Sequence, residues 1–226
     1  MLAQIVLFDG FDPLDAIAPY EVLSAGGMLT GGNLTVQLVS AEGAREVPSG
    51  LAAVSLRAEA ALAPEHADLV VVPGAIGRLT AATEDTGESG GGEDSIPVLL
   101  GRTLDTGLPA LLERAMARPE VTVATVCGGS LVLAMAGLLE GRPATSHHLG
   151  LDLLEATGAV SVDARIVDDG RLVTGASVTS GLDVGLYLLE RELGPRVAIA
   201  VERLIGHERR GTVWRGAGAE PTPVGI

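Results

Sequence analysis

The sequence reads as an α/β domain, a mostly parallel, doubly wound sheet with helices on both faces. Three observations predict it. Short Val-rich strands alternate with helical segments along the chain. Those strands are continuous apolar runs with Gly-rich ends, as expected of parallel strands covered on both faces. One of them, over 121–126, runs straight into Cys127-Gly128-Gly129 and then an apolar helix. A residue at such a junction sits on a sharp turn that lifts its side chain out of the sheet, and small residues after it let the backbone bend.

Residues 3–8 form a first apolar strand, and 9–13 a loop with turn chemistry. Asp15 stands where an N-cap belongs, ahead of an apolar-periodic helix over 16–23, with Pro19 in the first turn. A second strand covers 34–40, and a ribbon or edge pair 49–59. The third core strand, 67–74, ends in Pro73-Gly74. Residues 83–95 are polar, acidic and Gly-rich and predict a mobile surface loop. Residues 97–118 are helical overall, with breaks at Gly101 and around 107–109. The central strand and the elbow helix over 131–139 follow, then a short strand and turn over 141–148. A helix over 149–157 is stopped by Gly158. Short strands at 160–162, 164–167 and 171–174 follow, the last two joined by a turn at 168–170. Residues 175–181 make a small-residue turn, and helices cover 182–193 and 195–207. One domain is expected over 1–210. A tail over 211–226, carrying the only Trp (Trp214), is expected to wrap the surface or a partner subunit.

Composition narrows the function. The chain has 226 residues, 47% of them hydrophobic, and a mean hydropathy of +0.38, ample for one large core. Aromatics are only 2%, so that core is built from Ala, Val, Leu and Ile. The net charge of −14 argues against nucleic acid and anionic membranes as partners, because phosphate recognition needs clustered cations. All 15 basic residues are Arg, which excludes lysine Schiff-base chemistry. One Cys excludes an internal disulfide and a Cys-cluster metal site. There is no dinucleotide fingerprint after a strand and no Walker lysine. The N-terminus reads directly into a strand, and no apolar run reaches membrane-spanning length. The expectation is a soluble, cytoplasmic protein.

The chemistry concentrates on Cys127. A lone Cys is more often a small buried hydrophobe than a nucleophile, and the elbow raises the functional reading level with that structural one. The helix starting after it aims N–H groups and its positive dipole end at the sulfur, which predicts thiolate over thiol. In a doubly wound sheet the carboxyl ends of the strands converge. That brings 9–15, 74–77, Cys127 and His147–His148 together.

The ordered motifs Phe8-x6-Asp15-x3-Pro19, Pro73-Gly74, Val126-Cys127-Gly-Gly-Ser130, Ala144-Thr-Ser-His147 and Val173-Thr-Gly175 to Asp183 resemble the ThiJ/PfpI superfamily, relatives of class I glutamine amidotransferases. The branch they resemble is isonitrile hydratase and its regulator-associated cousins, over about residues 3–205. The resemblance implies a flavodoxin-like sheet, Cys127 as nucleophile and a homodimer. Asp15 matches the acidic residue that hydrogen-bonds the cysteine, against the alternative of a simple helix cap. Gly74, Ala75 and Gly128 match the oxyanion-side backbone donors. Ala75 replaces a Gly usual in the family and would be strained at positive φ. Gly128 replaces the Thr common after the cysteine in hydratases. His147 matches a histidine that pairs with the nucleophile in several branches, while His148 has no counterpart. Asp183 reads as a bracing residue at a helix start. Glu202 and Trp214 are weaker candidates for a dimer contact or pocket closure.

The implied activity is cofactor-free, metal-free addition of water to a small isonitrile, giving an N-substituted formamide. A glyoxalase- or deglycase-like activity on α-oxoaldehydes would require His147 as base. A non-catalytic ligand or oxidation sensor is the alternative outside enzymes.

Overall fold

The computed structural model describes residues 1–78 and 95–219. The acidic stretch expected to be a mobile loop lies outside the described residues except for Ser95, as does the tail beyond residue 219.

The strands are β1 (Leu2–Leu7), β2 (Thr35–Ser40), β3 (Arg45–Pro48), β4 (Ser55–Ala58), β5 (Ala60–Ala61), β6 (Leu69–Val72), β7 (Thr122–Thr125), β8 (Pro143–Ala144), β9 (Val160–Ser161), β10 (Ile166–Asp169), β11 (Leu172–Gly175) and β12 (Trp214–Arg215). The helices are α1 (Pro13–Leu29), α2 (Ile96–Arg102), α3 (Leu108–Ala117), α4 (Gly129–Met135), α5 (Leu151–Ala156), α6 (Ser180–Leu193) and α7 (Pro195–Ile205).

Eight strands form one sheet in the order β12-β10-β11-β7-β6-β1-β2-β5. Every neighbouring pair is parallel except β10 with β11. The five central strands, β2-β1-β6-β7-β11, carry the flavodoxin-like order, with chain order reversing between β1 and β6. Helices α1, α6 and α7 pack against one another, and α2, α3 and α5 each pack against α4. The expected doubly wound, mostly parallel architecture is therefore present. β6 is buried along its whole length, as its Val run requires. Val72 lies opposite Thr125, so β6 and β7 end level and deliver Pro73-Gly74 beside Cys127.

Several local expectations are corrected. The ribbon is an antiparallel hairpin of β3 and β4, shifted to start at Arg45. The 97–118 helix breaks at a 3-10 turn over Thr103–Asp105 and at Gly107, while Gly101 stays inside α2. The elbow helix stops at Met135. Gly137, at φ 77, lets its own N–H bond Ala134 O and Leu138 N–H bond Leu133 O, a Schellman closure. The tail does not simply wrap the surface. Trp214 and Arg215 pair in parallel with β10 and extend the main sheet past the expected boundary at 210.

Candidate active site

The site is assembled at the reversal point from the ends of β1, β6 and β7. α1 begins earlier than the sequence suggests. Asp12, not Asp15, is the N-cap: its Oδ1 accepts the Leu14 N–H at 2.9 Å, and Pro13 takes the first helical position. A proline fits there because its missing N–H would have had no helical partner. The correction matters, because it moves Asp15 from the cap to the third position of the first turn. There Asp15 is completely buried.

Asp15 Oδ2 accepts the Gly74 N–H at 2.9 Å. Asp15 Oδ1 has no hydrogen-bond partner. The carboxyl lies beside the Cys127 thiol, and each bears on the other's protonation. Burial, and then the nearby Asp12 carboxylate, push Asp15 up to about 8, against the weaker pull of the Gly74 N–H. At neutral pH it is a protonated acid with a proton to give. The alternative of Asp15 as a simple helix cap thus falls away, and the carboxyl is buried beside the sulfur.

Cys127 has φ 94, the one positive φ at a non-glycine residue among those described. A left-handed side-chain residue costs energy unless its surroundings impose it, and such strain gathers at functional sites. Here the surroundings are visible. The Cys127 carbonyl accepts from Ser146 Oγ at 2.8 Å, the His147 N–H at 3.2 Å and Ser130 Oγ at 3.4 Å. The glycines around it are set by close approach. A Cβ on Gly129 would lie 2.1 Å from Val72 O, and one on Gly74 would lie 2.6 Å from Gly128 N and 2.9 Å from Asp15 Oδ2. Neither position has room for a side chain.

Cys127 is only 6% exposed. The helix-end expectation of a thiolate is corrected. Burial and the neighbouring Asp15 carboxylate push the thiol up, outweighing the Gly128 N–H directed at the sulfur. The winning effect is desolvation of the buried sulfur.

The backbone donors divide. Gly74 does not offer a free N–H, because it is committed to Asp15. Gly128 donates toward Cys127. Ala75 sits without positive φ, so the strain expected there is absent. His147 meets Cys127 through its backbone. Its ring Nδ1 accepts the Leu149 N–H at 3.3 Å and so caps the next 3-10 turn. The ring stacks on His148 at a 4.2 Å centroid distance. Burial, and secondly His148, lower its pKa. The groups that act on the thiol are Asp15, the Gly128 N–H and Asp12. Asp12 and Ser146 were missed from sequence. For Asp12 the signal was present, as an acidic N-cap three residues before a second acid resembles a capping box.

Asp183 lies in the first turn of α6, where Arg165, His207 and the Arg210 N–H meet its carboxylate. Glu202 and Trp214 stand apart from the thiol: Glu202 binds Arg209, and Trp214 lies in β12. Among the described residues no group of three or more His, Cys, Asp or Glu gathers as metal ligands would, and no helix is long and apolar enough to cross a membrane.

Comparison with known proteins agrees with this layout. Residues 105–191 match the DJ-1/PfpI family. The chain is 44% identical to isonitrile hydratase of Pseudomonas putida over 89 residues, 39% of each chain. It is 26% identical to DJ-1 homolog A of Arabidopsis thaliana over 203 residues, 89% of this chain and 45% of that protein. The chain thus spans less than half the length of the first curated relatives it matches. In fold it is similar to a ThiJ/PfpI family protein from Pseudomonas syringae, with a TM-score of 0.73 at 23% identity, covering 96% of this chain and 78% of that one. The strand order, the cysteine between β7 and α4 and these matches lead to one conclusion: the chain carries a DJ-1/PfpI family domain.

Proposed function

We propose that this protein is a cysteine-dependent hydratase of the isonitrile hydratase type that works without a cofactor. One observation carries the reading. A completely buried carboxyl, Asp15, keeps one oxygen unpartnered and faces the only thiol of the chain. The 44% identity to an isonitrile hydratase supports the same reading.

The reactive state of the pair holds one proton, which passes from the Cys127 thiol to the Asp15 carboxylate as the substrate binds and leaves the thiolate. The Cys127 thiolate attacks the terminal isonitrile carbon and forms the C–S bond. Asp15 gives its proton to that carbon, leaving a thioimidate. The Asp15 carboxylate then takes a proton from water as the hydroxide oxygen bonds to the same carbon, and passes that proton to nitrogen. Collapse of the tetrahedral adduct breaks the C–S bond, forms the formamide carbonyl and returns the hydroxyl proton to Asp15. Atoms balance as isonitrile plus water giving N-substituted formamide, and the enzyme ends as it began. The N–H groups of Ala75 and Gly128 flank this centre, with Gly74 acting through Asp15 instead.

The α-oxoaldehyde alternative needs a His147 base, and the Nδ1 of that ring is occupied by Leu149. The test is formamide production from a simple alkyl isonitrile by purified protein, beside Cys127→Ala and Asp15→Asn. Turnover by the wild type alone is expected. Wild-type turnover no faster than that of the variants overturns the proposal.

A further inference from the structure

Ser146 has no part in the steps above, yet its hydroxyl makes the shortest contact on the Cys127 carbonyl. The residue is 1% exposed. Its Oγ donates to Cys127 O at 2.8 Å, and the His147 N–H adds a second bond at 3.2 Å, while Ser130 Oγ stands farther off at 3.4 Å. The segment carrying Ser146 is itself held on both sides. The Thr145 N–H donates to Thr174 Oγ1 of β11 at 2.8 Å, and the Gly150 N–H closes back on His147 O at 2.7 Å. β11 pairs in turn with β7, the strand that leads into Cys127. The hydroxyl is thus presented by a fixed scaffold.

A trans peptide group is planar, so its C=O and N–H point in opposite directions. The Cys127 carbonyl and the Gly128 N–H are the two ends of one such group. Whatever grips the carbonyl therefore settles where the N–H points. With the carbonyl turned to Ser146 and His147, the N–H is turned away from them. Gly128 N stands close to the acid: the point where a Cβ of Gly74 would sit lies 2.6 Å from Gly128 N and 2.9 Å from Asp15 Oδ2.

The local backbone does not fix this plane. Cys127 is held at φ 94, a conformation that costs a residue with a side chain energy. Gly128 has φ −57 and ψ −5, which any residue adopts, but a glycine reaches positive φ as readily. With no Cβ at 128, the plane is free to turn about the bonds on either side of it. Such a turn would swing the N–H away from the reacting centre and strip the carbonyl of its donors. What opposes it is the pair of donors from the segment after β8.

We infer that Ser146 is a positioning residue: by holding the Cys127 carbonyl it fixes the tilt of the Cys127–Gly128 peptide and aims the Gly128 N–H at the reacting centre. The same bond polarises the peptide and strengthens its N–H as a donor.

The inference rests on Cys127 as the reacting sulfur of the proposed function, but its test does not need hydratase activity. The only Cys of the chain is followed by Gly, so protein labelled at the Cys carbonyl carbon and the Gly nitrogen gives one correlated NMR signal, that of this peptide. Iodoacetamide alkylation reports the same sulfur. Ser146→Ala and Ser146→Gly remove the hydroxyl. In whichever folds, the labelled signal is expected to move. Loss of one hydrogen bond to the sulfur leaves about tenfold less thiolate, partly offset by the greater nucleophilicity of a more basic thiolate. Alkylation at about pH 8 should therefore slow by about threefold. Where isonitrile is turned over, kcat should fall about tenfold with KM within about twofold of wild type. Thr145→Val is the control. Thr145 is equally buried, but its Oγ1 has no partner, so signal and alkylation should stay as in wild type. An unmoved signal with unslowed alkylation in the folded Ser146 variants overturns the inference. So does an equal loss in Thr145→Val, which would assign the effect to packing of the segment. A protein without isonitrile turnover whose Ser146 variants still show the moved signal and slowed alkylation sinks the proposed function and leaves this inference standing.

Discussion

Two aspartates with the same burial lead opposite lives in this molecule. Asp15 and Asp183 are both 0% exposed, and both sit in the first turn of a helix, α1 and α6, which pack against each other. Asp183 is fully provided for. Arg165 meets it through Nε at 2.8 Å and Nη2 at 2.6 Å, His207 Nε2 lies at 2.9 Å, and the Arg210 N–H donates at 3.1 Å. Those partners come from the bend ahead of β10, from the turn after α7 and from the segment that follows it, so the carboxylate ties distant parts of the chain together. Asp15 has one backbone donor, no cation and a free oxygen. Burying a carboxylate costs several kcal/mol unless partners offset it. Asp183 meets that cost with an ion pair and braces the fold. Asp15 meets it by taking up a proton, the proton that the proposed mechanism uses. Burial alone does not separate a structural carboxyl from a chemical one; the inventory of donors around it does.

The contrast can be broken most directly at the sulfur. Cys127→Ala is expected to reduce isonitrile hydration by at least about 10⁴-fold, since a deleted nucleophile leaves only binding and backbone donors. Its melting transition should stay close to wild type, as measured by calorimetry. A melt that collapses with the activity would make Cys127 a core residue.

Asp15→Asn is expected to cut kcat/KM by about 10²- to 10⁴-fold while keeping the Gly74 contact. Its second signature is in stability. Folded Asp15 keeps its proton up to about pH 8, whereas the unfolded chain releases it near the ordinary carboxyl value of 3.8. Between those values the native state binds the extra proton, so stability falls as pH rises. Relative to Asp15→Asn, the wild type should lose about 1.4 kcal/mol per pH unit across that window. Urea denaturation from about pH 4 to about pH 8 reads this directly. A flat difference would mean that Asp15 is ionised in the fold.

Asp183→Asn should do the reverse. It removes the charge that Arg165 and His207 face and should cost about 3 kcal/mol of stability. The pH profile of Cys127 alkylation should not move. A shifted thiol profile in this variant would erase the distinction between the two aspartates.

The smallest effect is expected at the rim. Ala75 is free of positive φ, so Ala75→Gly relieves no strain. It should lower stability by less than about 1 kcal/mol through added backbone entropy. Turnover should change by no more than about twofold, as the N–H is retained. A large gain in activity would show that the loop needs a more flexible residue than it has.

Much of the fold was legible in local pattern. The Val run of β6 and the β-branched run of β7 could only be covered strands, and Cys127-Gly128-Gly129 between strand and helix announced the elbow. Asp15 was legible by spacing, but its helical position was misread, because Asp12 and Pro13 together form a better helix start than Asp15 does. The split of 97–118 at a 3-10 turn and the pairing of Trp214 with β10 carried no strong local signal, since both depend on what lies alongside.

Sequence by itself therefore determined the alternating layers, the single sulfur, the absence of lysine and the places where only glycine fits. Tertiary structure decided the charge states. Whether a carboxyl is an anion or an acid depends on the water it has lost and the donors it has gained, and those come from residues distant in the chain. Gly74 lies 59 positions from Asp15. Arg165 and His207 reach Asp183 across 18 and 24. No pattern of neighbours along the chain encodes that difference, because desolvation and Coulomb attraction act through space.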